Sequence, residues 1–433
     1  MAAGAGFKPA PNSSTLRNYP LSLATRVLLL FTSLNLLQYL DRYLIASLGT
    51  LVKEEIGLSN QAFGFLGTAF FLVYLLTSPI FGYLGDRWGR IHLIVWGAVL
   101  WSLATSLTYW VSSYFTLVLS RAAVGVGEAS FGTLPPAYLA DILPLERRAR
   151  ALGWFYVALP AGSALAYLLG GLVGSRWGWR PTFLLAGLPG LALAATIWRL
   201  PEGSRPAVQP SSGGSTSPLG TAFRLWRIPT LRWVSLGFGM VTFTLGGLAF
   251  WMPSYLEVAK GLTLAQANLL LFGSVAGAGA LGTLAGGFLG DRFMSRSLNA
   301  PLWVSGLSII LGLPLAALAI FSPLPGQYIP ALVLAIFLLF MNQGVLTSVV
   351  VSVAGAPRRA QAAALNILII HLVGDVPSPF LIGWLADASS LQWGVSLTLL
   401  ALAAGAALIF MALPHLAKDL AAAGEIASPK TEG

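Results

Sequence analysis

The chain has 433 residues, of which 56% are hydrophobic and 9% charged, with a formal net charge of +10 and no cysteine. A soluble protein carries about a quarter of its residues as Asp, Glu, Lys and Arg, so most of this surface does not face water. The lack of cysteine excludes disulfides, thiolate catalysis and soft metal sites. The basic residues are scattered over loops, which argues against nucleic-acid binding.

Apolar runs long enough to cross a bilayer recur along the whole chain. A run of ~20 residues crosses ~30 Å of hydrocarbon as a helix, and a helix satisfies its own backbone polar groups in lipid. The alternating short segments of a β-barrel do not occur in this sequence. The runs predict an all-α polytopic membrane protein with spans near residues 25–49, 61–83, 91–112, 115–141, 148–174, 180–200, 231–257, 264–289, 299–320, 327–354, 360–386 and 392–414.

Polar segments divide these spans into two sets of six. The first stretch, Met1 to Pro20, is polar and is not expected to be a cleavable signal peptide. The segment Pro201 to Ile228 is rich in Pro, Ser and Gly and predicts a flexible, solvated linker. The predicted organisation is a tail (1–24), a six-helix bundle (25–200), a linker (201–230), a second six-helix bundle (231–414) and a second tail (415–433).

Two pairs of similar segments indicate an internal repeat. Gly82–Arg90 follows the second span, and the similar segment Gly287–Arg296 begins 205 residues later, after the eighth span. Glu146–Gly153 and Pro357–Ala364 form a second pair, after spans four and ten. Halves repeated in the same orientation are related by an axis along the membrane normal.

The basic residues predict which face of the membrane each loop occupies. With the N-terminus in the cytoplasm, nineteen Lys and Arg residues fall on the cytoplasmic side and four on the outer side. Cytoplasmic loops carry an excess of Lys and Arg. Both termini of this multi-pass protein are therefore expected in the cytoplasm. The composition and the short loops are typical of a bacterial protein, so we expect a bacterial inner membrane.

The segment Gly82–Arg90 matches the pattern Gly-x-Leu-x-Asp-Arg-x-Gly-Arg, and in this it resembles the major facilitator superfamily. Its glycines allow close helix approach, and a carboxylate at a helix end can form a clasp that breaks in another conformation. The alternative is that these residues only end helices and anchor a loop. The residues assigned to this cytoplasmic gate are Gly82, Gly85, Asp86, Arg87, Gly89, Arg90, Gly290, Asp291, Arg292, Asp141 and Arg147.

Ionisable residues inside the predicted spans are candidates for function because burying charge in lipid is unfavourable. The first span contains Asp41 and Arg42, and the fourth contains Arg121 and Glu128, two helical turns apart and so on one face. The proton affinity of a carboxylate in low dielectric depends on how close a guanidinium lies. Movement of the Arg side chains would therefore bind or release a proton. A static ion-pair network that locks the first bundle is the alternative.

His371 and Asp375 lie on one face of the eleventh span, ahead of Pro377 and Pro379. The pair is a candidate for binding substrate or charge partners. Asp375 could equally anchor the packing of a neighbouring helix end.

Several of these segments together resemble the Spinster family of the major facilitators. They are Tyr39–Arg42, Val124–Ser130, Trp251–Pro253 and His371–Pro379. The resemblance implies a twelve-helix carrier of lysolipids or sphingosine-1-phosphate-like lipids, with proton coupling. It also implies that the charged residues of spans one and four work in the cavity, with Asp41 and Glu128 as the proton-coupling residues.

The side-chain inventory fits an amphipathic anion. Arg42 and Arg121 offer two guanidinium groups suited to phosphate or carboxylate. An apolar tail would need aromatic walls, although aromatic residues in spans more often pack or anchor at interfaces. The candidates for the wall are Phe70, Tyr74, Phe131, Tyr138, Phe243, Phe250, Trp251 and Tyr255.

Other functions fit this sequence less well. Proton-driven efflux of assorted drugs or organic anions remains an alternative to lipid transport. An enzyme is disfavoured because no His-rich metal cluster or Ser-His-Asp arrangement stands out, and an ATP-driven pump because no phosphate-binding Gly-Lys-Ser/Thr loop exists. We therefore expect a carrier without cofactor or metal that works as a monomer in contact with membrane lipid and a small amphipathic substrate, energised by a proton gradient.

Overall fold

A computed structural model describes residues 21–143, 145–201, 218–294, 296–355 and 358–425. In this part of the chain, twelve long helices stand where the twelve spans are predicted, which confirms the all-α membrane fold. They are α1 (Leu21–Ser47), α2 (Asn60–Trp88), α3 (Arg90–Leu107), α4 (Tyr114–Ile142), α5 (145–177), α6 (Trp179–Ile197), α7 (Pro229–Lys260), α8 (Leu264–Met294), α9 (Ala300–Phe321), α10 (Pro325–Val353), α11 (359–388) and α12 (Leu391–Met411).

Helix α4 differs from the other eleven in its polarity. Among the described residues, eleven helices are long and apolar enough to cross a membrane by composition, and α4 is not one of them. It contains both Arg121 and Glu128, whose charges lower its mean hydropathy. Since α4 is a helix of 29 residues packed between α2 and α3, it spans like the others. Its charges must be stabilised within the protein.

The two halves of the chain repeat the same packing. In the first half, α1 packs on α5, α2 on α4, and α3 on both α4 and α6. In the second half, α7 packs on α11, α8 on α10, and α9 on both α10 and α12. The matching neighbours show that the repeated sequence motifs belong to two bundles of six helices built to one plan.

In the described part of the chain, three helices contain a wider π-helical turn. The turns are Gly170–Gly174 in α5, Ser274–Gly279 in α8 and His371–Asp375 in α11. Such a turn adds one residue to the helical repeat and changes the direction of the side chains around it, and it is frequent at functional sites. The last of the three carries both predicted polar residues of α11.

A short helix lies inside the segment predicted as a flexible linker. Pro218–Trp226 is helical, so this part of the segment is ordered where the sequence predicts flexible chain. The physical reason is the pattern of its last turns, in which Leu225 is buried against the second bundle while Phe223 and Arg224 stay exposed. Two other short helices, Gly49–Ile56 and Leu413–Ala422, follow α1 and α12.

The bundle has two ends, which we name by their connections. The linker face is the end where α6 leads to Pro201 and where Pro218–Trp226 leads into α7, and the distal face is the opposite end. The buried apolar residues form one cluster within each half and a third cluster that joins both halves at the distal ends, with members such as Leu48, Phe63 and Trp251.

Close packing between the halves occurs on the distal side. There α2 packs against the last segment of α11, α5 against the start of α8, and α1 against α7. A Cβ atom on Gly64 of α2 would collide with the backbone carbonyl of Pro379, and one on Gly383 with that of Asn60. Glycine at these two positions therefore lets the backbones of α2 and α11 touch.

Towards the linker face, the same helices carry exposed apolar side chains. Leu76 and Ile80 of α2, and Leu284 and Phe288 of α8, are all more than half exposed. The interface between the halves is thus closed at the distal ends, and the apolar faces of α2 and α8 nearer the linker are uncovered.

Candidate functional site

Arg42 of α1 and Glu128 of α4 form a buried ion pair between helices. Arg42 donates hydrogen bonds to Oε2 of Glu128 from Nη2 at 3.0 Å and from Nε at 3.2 Å. Gln38, one turn earlier on α1, donates to the same oxygen and to the Glu128 backbone carbonyl, both at 3.3 Å. The Glu128 side chain is 0% exposed. Because water does not reach this carboxylate, Arg42 and Glu128 must remain paired or Glu128 must become protonated.

A second ion pair joins Asp41 of α1 to Arg121 of α4. Nη1 of Arg121 lies 3.8 Å from Oδ1 of Asp41, beyond hydrogen-bonding distance. The other carboxylate oxygen of Asp41 accepts a hydrogen bond from Thr105 of α3. Neighbouring residues of a helix point about 100° apart, so Asp41 and Arg42 reach different partners. The structure therefore brings all four predicted charges together as two separate pairs.

Both pairs are incompletely hydrogen-bonded. Within the described structure, four buried polar atoms of this cluster have no hydrogen-bond partner: Oδ1 of Asp41, Nε and Nη1 of Arg121, and Oε1 of Glu128. An unsatisfied buried polar atom is unfavourable by about 1–3 kcal/mol, and more when it is charged. The site thus has unused donors and acceptors for a proton, for water or for a polar substrate group.

Glycines on α4 bring the helices of the site together. A Cβ on Gly125 would lie 2.6 Å from the carbonyl oxygen of Phe70 on α2, and one on Gly127 would lie 2.6 Å from that of Gly97 on α3. Such contacts require a hydrogen in place of a side chain. The small residues before Glu128 therefore set α4 deep in the bundle, where Glu128 reaches α1.

Aromatic rings surround the Arg42 guanidinium. Its Cζ lies 5.0 Å from the ring centres of Tyr39 and Tyr74, 5.2 Å from that of Phe70 and 5.7 Å from that of Phe71. Arg121 lies 5.2 Å from the Phe70 ring as well. Cation–π contacts of this kind stabilise a desolvated guanidinium. Of the aromatic residues predicted for the cavity wall, Phe70 and Tyr74 therefore adjoin the charged site.

His371 and Asp375 lie in the π-helical turn of α11 and bond to each other. Nδ1 of His371 is 2.7 Å from Oδ2 of Asp375. The His371 ring is stacked 6.1 Å from Phe71 and lies 6.0 Å from Tyr74. The pair of the second half thus meets the aromatic residues that surround Arg42.

The other predicted wall residues lie elsewhere. Phe131 and Tyr138 pack against Phe31 within the first bundle, with ring centres 6.0 and 5.5 Å from it. Phe250 and Trp251 belong to the distal closure between the halves, where Phe250 lies 5.0 Å from Phe63.

Two more predicted wall residues belong to the second half. Phe243 is buried in the cluster that joins the halves. Tyr255 donates a hydrogen bond to the backbone carbonyl of Ile320, at the distal end of α9. Their place on a transport path stays a prediction.

The predicted gate motif lies where α2 ends and α3 begins, at the linker face. Gly89 has φ of 101°, a backbone conformation that side chains rarely adopt, and it lets the chain turn within one residue. Gly85 is buried against Leu134 of α4. Arg87 stacks on Tyr83, with its Cζ 4.2 Å from the ring centre.

The remaining gate residues are only partly described. Gly82 packs against Thr133 of α4, and Gly290 of the second copy against Val345 of α10. Asp291 and Arg292 are exposed, and Arg90 is half-buried. The side chains of Asp86, Asp141 and Arg147 lie outside the described part of the structure. The gating role of this motif stays a prediction.

Sequence reasoning missed several polar residues near the site and at the distal face. Gln38 and Thr105 carry no charge, so an inventory of ionisable residues does not find them. At the distal face, Thr50 donates to Glu257 of α7 at 2.9 Å and Lys53 donates to Asn60 at 2.9 Å. Burial lowers the pKa of Lys53, against the opposing influence of Glu257 and other nearby carboxylates. The sequence carries no local signal for the first of these contacts, because Thr50 and Glu257 lie 207 residues apart.

The chain matches a known protein family over most of its length. A sequence profile described as Major Facilitator Superfamily matches residues 31–374. Protein spinster homolog 1 of Xenopus tropicalis is 33% identical over 388 residues, which cover 84% of this chain and 73% of the relative. Protein spinster homolog 3 of Danio rerio is 31% identical over 380 residues, or 82% and 76% of the two chains. The chain belongs to the Spinster family of the major facilitator superfamily.

Solved structures agree with this family assignment. A bacterial homologue of the human lysosomal transporter Spinster, crystallised in an inward-facing, unoccupied conformation, superimposes with a TM-score of 0.79 at 25% identity over 92% of this chain and 98% of that one. A structure of a bacterial Spinster homologue in an inward-facing, occupied conformation gives a TM-score of 0.81 at 23% identity, over 92% and 98% of the chains. This Spinster-family chain is thus a major facilitator transporter with the charged cluster inside its first bundle.

Proposed function

We propose that this chain is a proton-coupled secondary carrier that moves an amphipathic, anionic, lipid-like solute by alternating access. A lysolipid or a sphingosine-1-phosphate-like lipid fits this description. The observation that carries the proposal is the cluster of Asp41, Arg42, Arg121 and Glu128, buried and incompletely hydrogen-bonded. A static lock would be expected to satisfy its polar atoms, because each unsatisfied one destabilises the fold.

Arg121 supports the recognition of an anionic headgroup. Its Nε and Nη1 atoms have no hydrogen-bond partner among the described residues, and its only ion-pair distance to Asp41 is long at 3.8 Å. A guanidinium binds phosphate or carboxylate through two parallel N–H donors. In this proposal, Arg121 and Arg42 hold the headgroup while the aromatic residues near Arg42 contact the start of the apolar tail.

Glu128 supports the coupling of transport to protons. Among the described residues, three side-chain donors reach its carboxylate, all at Oε2, and Oε1 has no partner there. Uptake of a proton from the aqueous side would neutralise the carboxylate and weaken its attraction for Arg42. Arg42 is then available to an anionic substrate, and proton release restores the pair. Asp41 has the same role towards Arg121 in this proposal.

The second half contributes the His371–Asp375 pair. It contacts Tyr74, whose ring centre also lies 5.0 Å from Cζ of Arg42. A substrate or a proton bound at the charged cluster can thereby influence the opposite half. We propose that this pair senses the occupied site and helps the halves to move together.

The proposed orientation places the linker face in the cytoplasm. The excess of Lys and Arg in the loops at that end and the positive-inside rule support it. The kinship with a bacterial transporter of known structure supports a bacterial inner membrane. The distal closure within one chain supports a monomer as the working unit, because the path between the two halves needs no second copy.

The decisive experiment is uptake into proteoliposomes under an imposed proton gradient. It compares a lysophospholipid, a sphingosine phosphate and a cationic drug as substrates. We expect pH-driven movement of one of the anionic lipids and little of the drug. Equal movement of the drug would instead support a multidrug efflux carrier.

Glu128→Gln tests the coupling residue in the same vesicles. We expect pH-driven movement to be lost while the protein stays folded in the membrane, since glutamine keeps the shape and loses the titrating group. Glu425→Gln is the matched control, because Glu425 pairs with Arg359 at the surface at 2.5 Å, remote from the cluster. A Glu128→Gln protein with unchanged pH dependence would exclude Glu128 from coupling.

A further inference from the structure

Asp387, near the distal end of α11, binds the start of α2 in the other half. Its Oδ1 accepts hydrogen bonds from the backbone N–H of Asn60 and from Nδ2 of Asn60, both at 2.9 Å. Its Oδ2 accepts from the backbone N–H of Gln61 at 2.8 Å. One carboxylate therefore forms three bonds between segments 326 and 327 residues apart in sequence.

These bonds satisfy backbone N–H groups at the start of α2. The first four N–H groups of a helix have no partner within the helix. Ser59 satisfies that of Ala62 with its side chain at 3.1 Å, whereas those of Asn60 and Gln61 are satisfied by Asp387. A carboxylate at a helix N-terminus also interacts favourably with the helix dipole. Half of the cap of α2 is thus supplied by the opposite bundle.

Asp387 lies among close contacts of the distal closure. Gly383, one turn earlier on α11, touches the Asn60 backbone. Trp251 of α7 donates to the backbone carbonyl of Pro379 at 2.9 Å. Lys53 donates to Oδ1 of Asn60 at 2.9 Å and extends the network to the helix Gly49–Ile56. Separation of the halves at this face must break the Asp387 bonds.

We propose that Asp387 is a gating residue that favours the conformation closed at the distal face by capping α2 across the two bundles. The inference rests on the proposed alternating access, in which the distal face must open once per cycle. In the open conformation both the carboxylate and the N–H groups are hydrated. The difference between the two states is therefore a bias and not a lock.

The chain offers a closely matched control within one half. Asp419, in the helix Leu413–Ala422, accepts a hydrogen bond from the backbone N–H of Thr230 at 2.9 Å, at the start of α7. It too caps a membrane-spanning helix, but both partners belong to the second half of the chain. Loss of Asp419 removes a cap without touching the contact between the halves.

The test measures the width of the distal face by the distance between two spin labels in lipid nanodiscs. The chain has no cysteine, so Ser112→Cys and Gly326→Cys introduce the only labelling sites. Both positions are exposed at the distal ends of opposite halves, and an added Cβ at Gly326 meets nothing within 4 Å. The labels are attached to the wild-type background and to Asp387→Ala, Asp387→Asn and Asp419→Asn.

We expect Asp387→Ala to raise the ratio of distal-open to distal-closed molecules about threefold to tenfold, the range that the loss of a helix cap implies. Asp387→Asn is expected to raise it less, because asparagine retains one acceptor oxygen. Asp419→Asn should leave the ratio at the wild-type value. A distance distribution for Asp387→Ala equal to wild type overturns the proposal, as does an equal increase in Asp419→Asn.

This readout is independent of the substrate and of the proton gradient. Failure of lipid uptake in proteoliposomes would therefore count against the proposed function and leave the gating result intact. An unaltered distance distribution in both Asp387 variants, with uptake observed, would count against Asp387 alone.

Discussion

Helices α4 and α10 occupy equivalent places in the two halves and differ in their chemistry. Helix α4 packs on α2 and α3, and α10 packs on α8 and α9. Helix α4 carries Arg121 and Glu128 in its interior, whereas α10 contains no Asp, Glu, Lys or Arg. In their place α10 has Asn342, whose Nδ2 donates to the backbone carbonyl of Leu339 at 3.1 Å within the same helix.

This difference shows that the two bundles have the same helix packing but different polar groups inside it. The first bundle contains two ion pairs whose polar atoms are not all satisfied, and such atoms can change partners. Asn342 of α10 is uncharged and is satisfied by the Leu339 carbonyl of its own helix and by Ser308 of α9, which donates to its Oδ1 at 3.4 Å. We interpret the first bundle as the half that binds the charged group. The second bundle is then the half that moves in response, through its contacts at His371 and Asp375. Four experiments would break or sharpen this contrast.

The largest effect is expected for the stability of Glu128→Ala. It leaves the Arg42 charge buried and unpaired, which destabilises folded proteins by about 3–5 kcal/mol. Asn342→Ala, at the polar position of α10, should reduce the free energy of unfolding by about 1 kcal/mol. Denaturant unfolding in detergent micelles measures both. If the two variants lose stability equally, the charged cluster of the first bundle is not special energetically.

Arg42→Ala should reduce the transport of anionic substrates more than that of cationic ones. We expect the transport of anionic lipids to fall about tenfold or more, because a charge-assisted hydrogen bond contributes about 1.5–3 kcal/mol. Any transport of a cationic amphiphile should fall much less. Initial uptake rates for the two substrates decide the matter, and an equal loss for both would argue against headgroup recognition by Arg42.

Asp375→Asn tests the contribution of the second half. The change weakens the 2.7 Å contact with His371 and keeps the volume of the side chain. We expect the transport rate to drop about fivefold, with the preference for anionic over cationic substrates unaltered. A change in that preference would move Asp375 into the headgroup site and remove the contrast between the halves.

The smallest effect is expected at the gate motif of the first half. Gly89→Ala places a Cβ on a residue with φ of 101°, which should destabilise the fold by about 1 kcal/mol. Met294→Ala, near the same place in the second copy, should change the stability by less, because Met294 is helical and exposed. Thermal unfolding of the two variants compares the two copies. A larger loss for Met294→Ala would show that the second copy bears the structural role.

Much of the fold could be predicted from the sequence because the bilayer acts on local properties. The length and apolarity of each run predict a helix, and the repeated motifs after α2 and α8 predict two halves. The charges of α1 and α4 stand out because their helices are otherwise apolar. The helix Pro218–Trp226 was missed, since its stability comes from packing Leu225 against the second bundle and not from its composition.

Only the tertiary structure decided which charges pair and where the halves meet. The choice of Arg42 for Glu128 and of Arg121 for Asp41 depends on how far α4 rotates and how closely it approaches α1, which Gly125 and Gly127 control through contacts with other helices. The same is true of Asp387, whose partners lie more than 300 residues away. The sequence by itself determined twelve helices and a short list of buried charges. Both follow from the polarity of individual residues, because apolar side chains are favourable in lipid and charged ones are not. The pairing required the packed structure, because hydrogen bonds depend on distances that no local pattern contains.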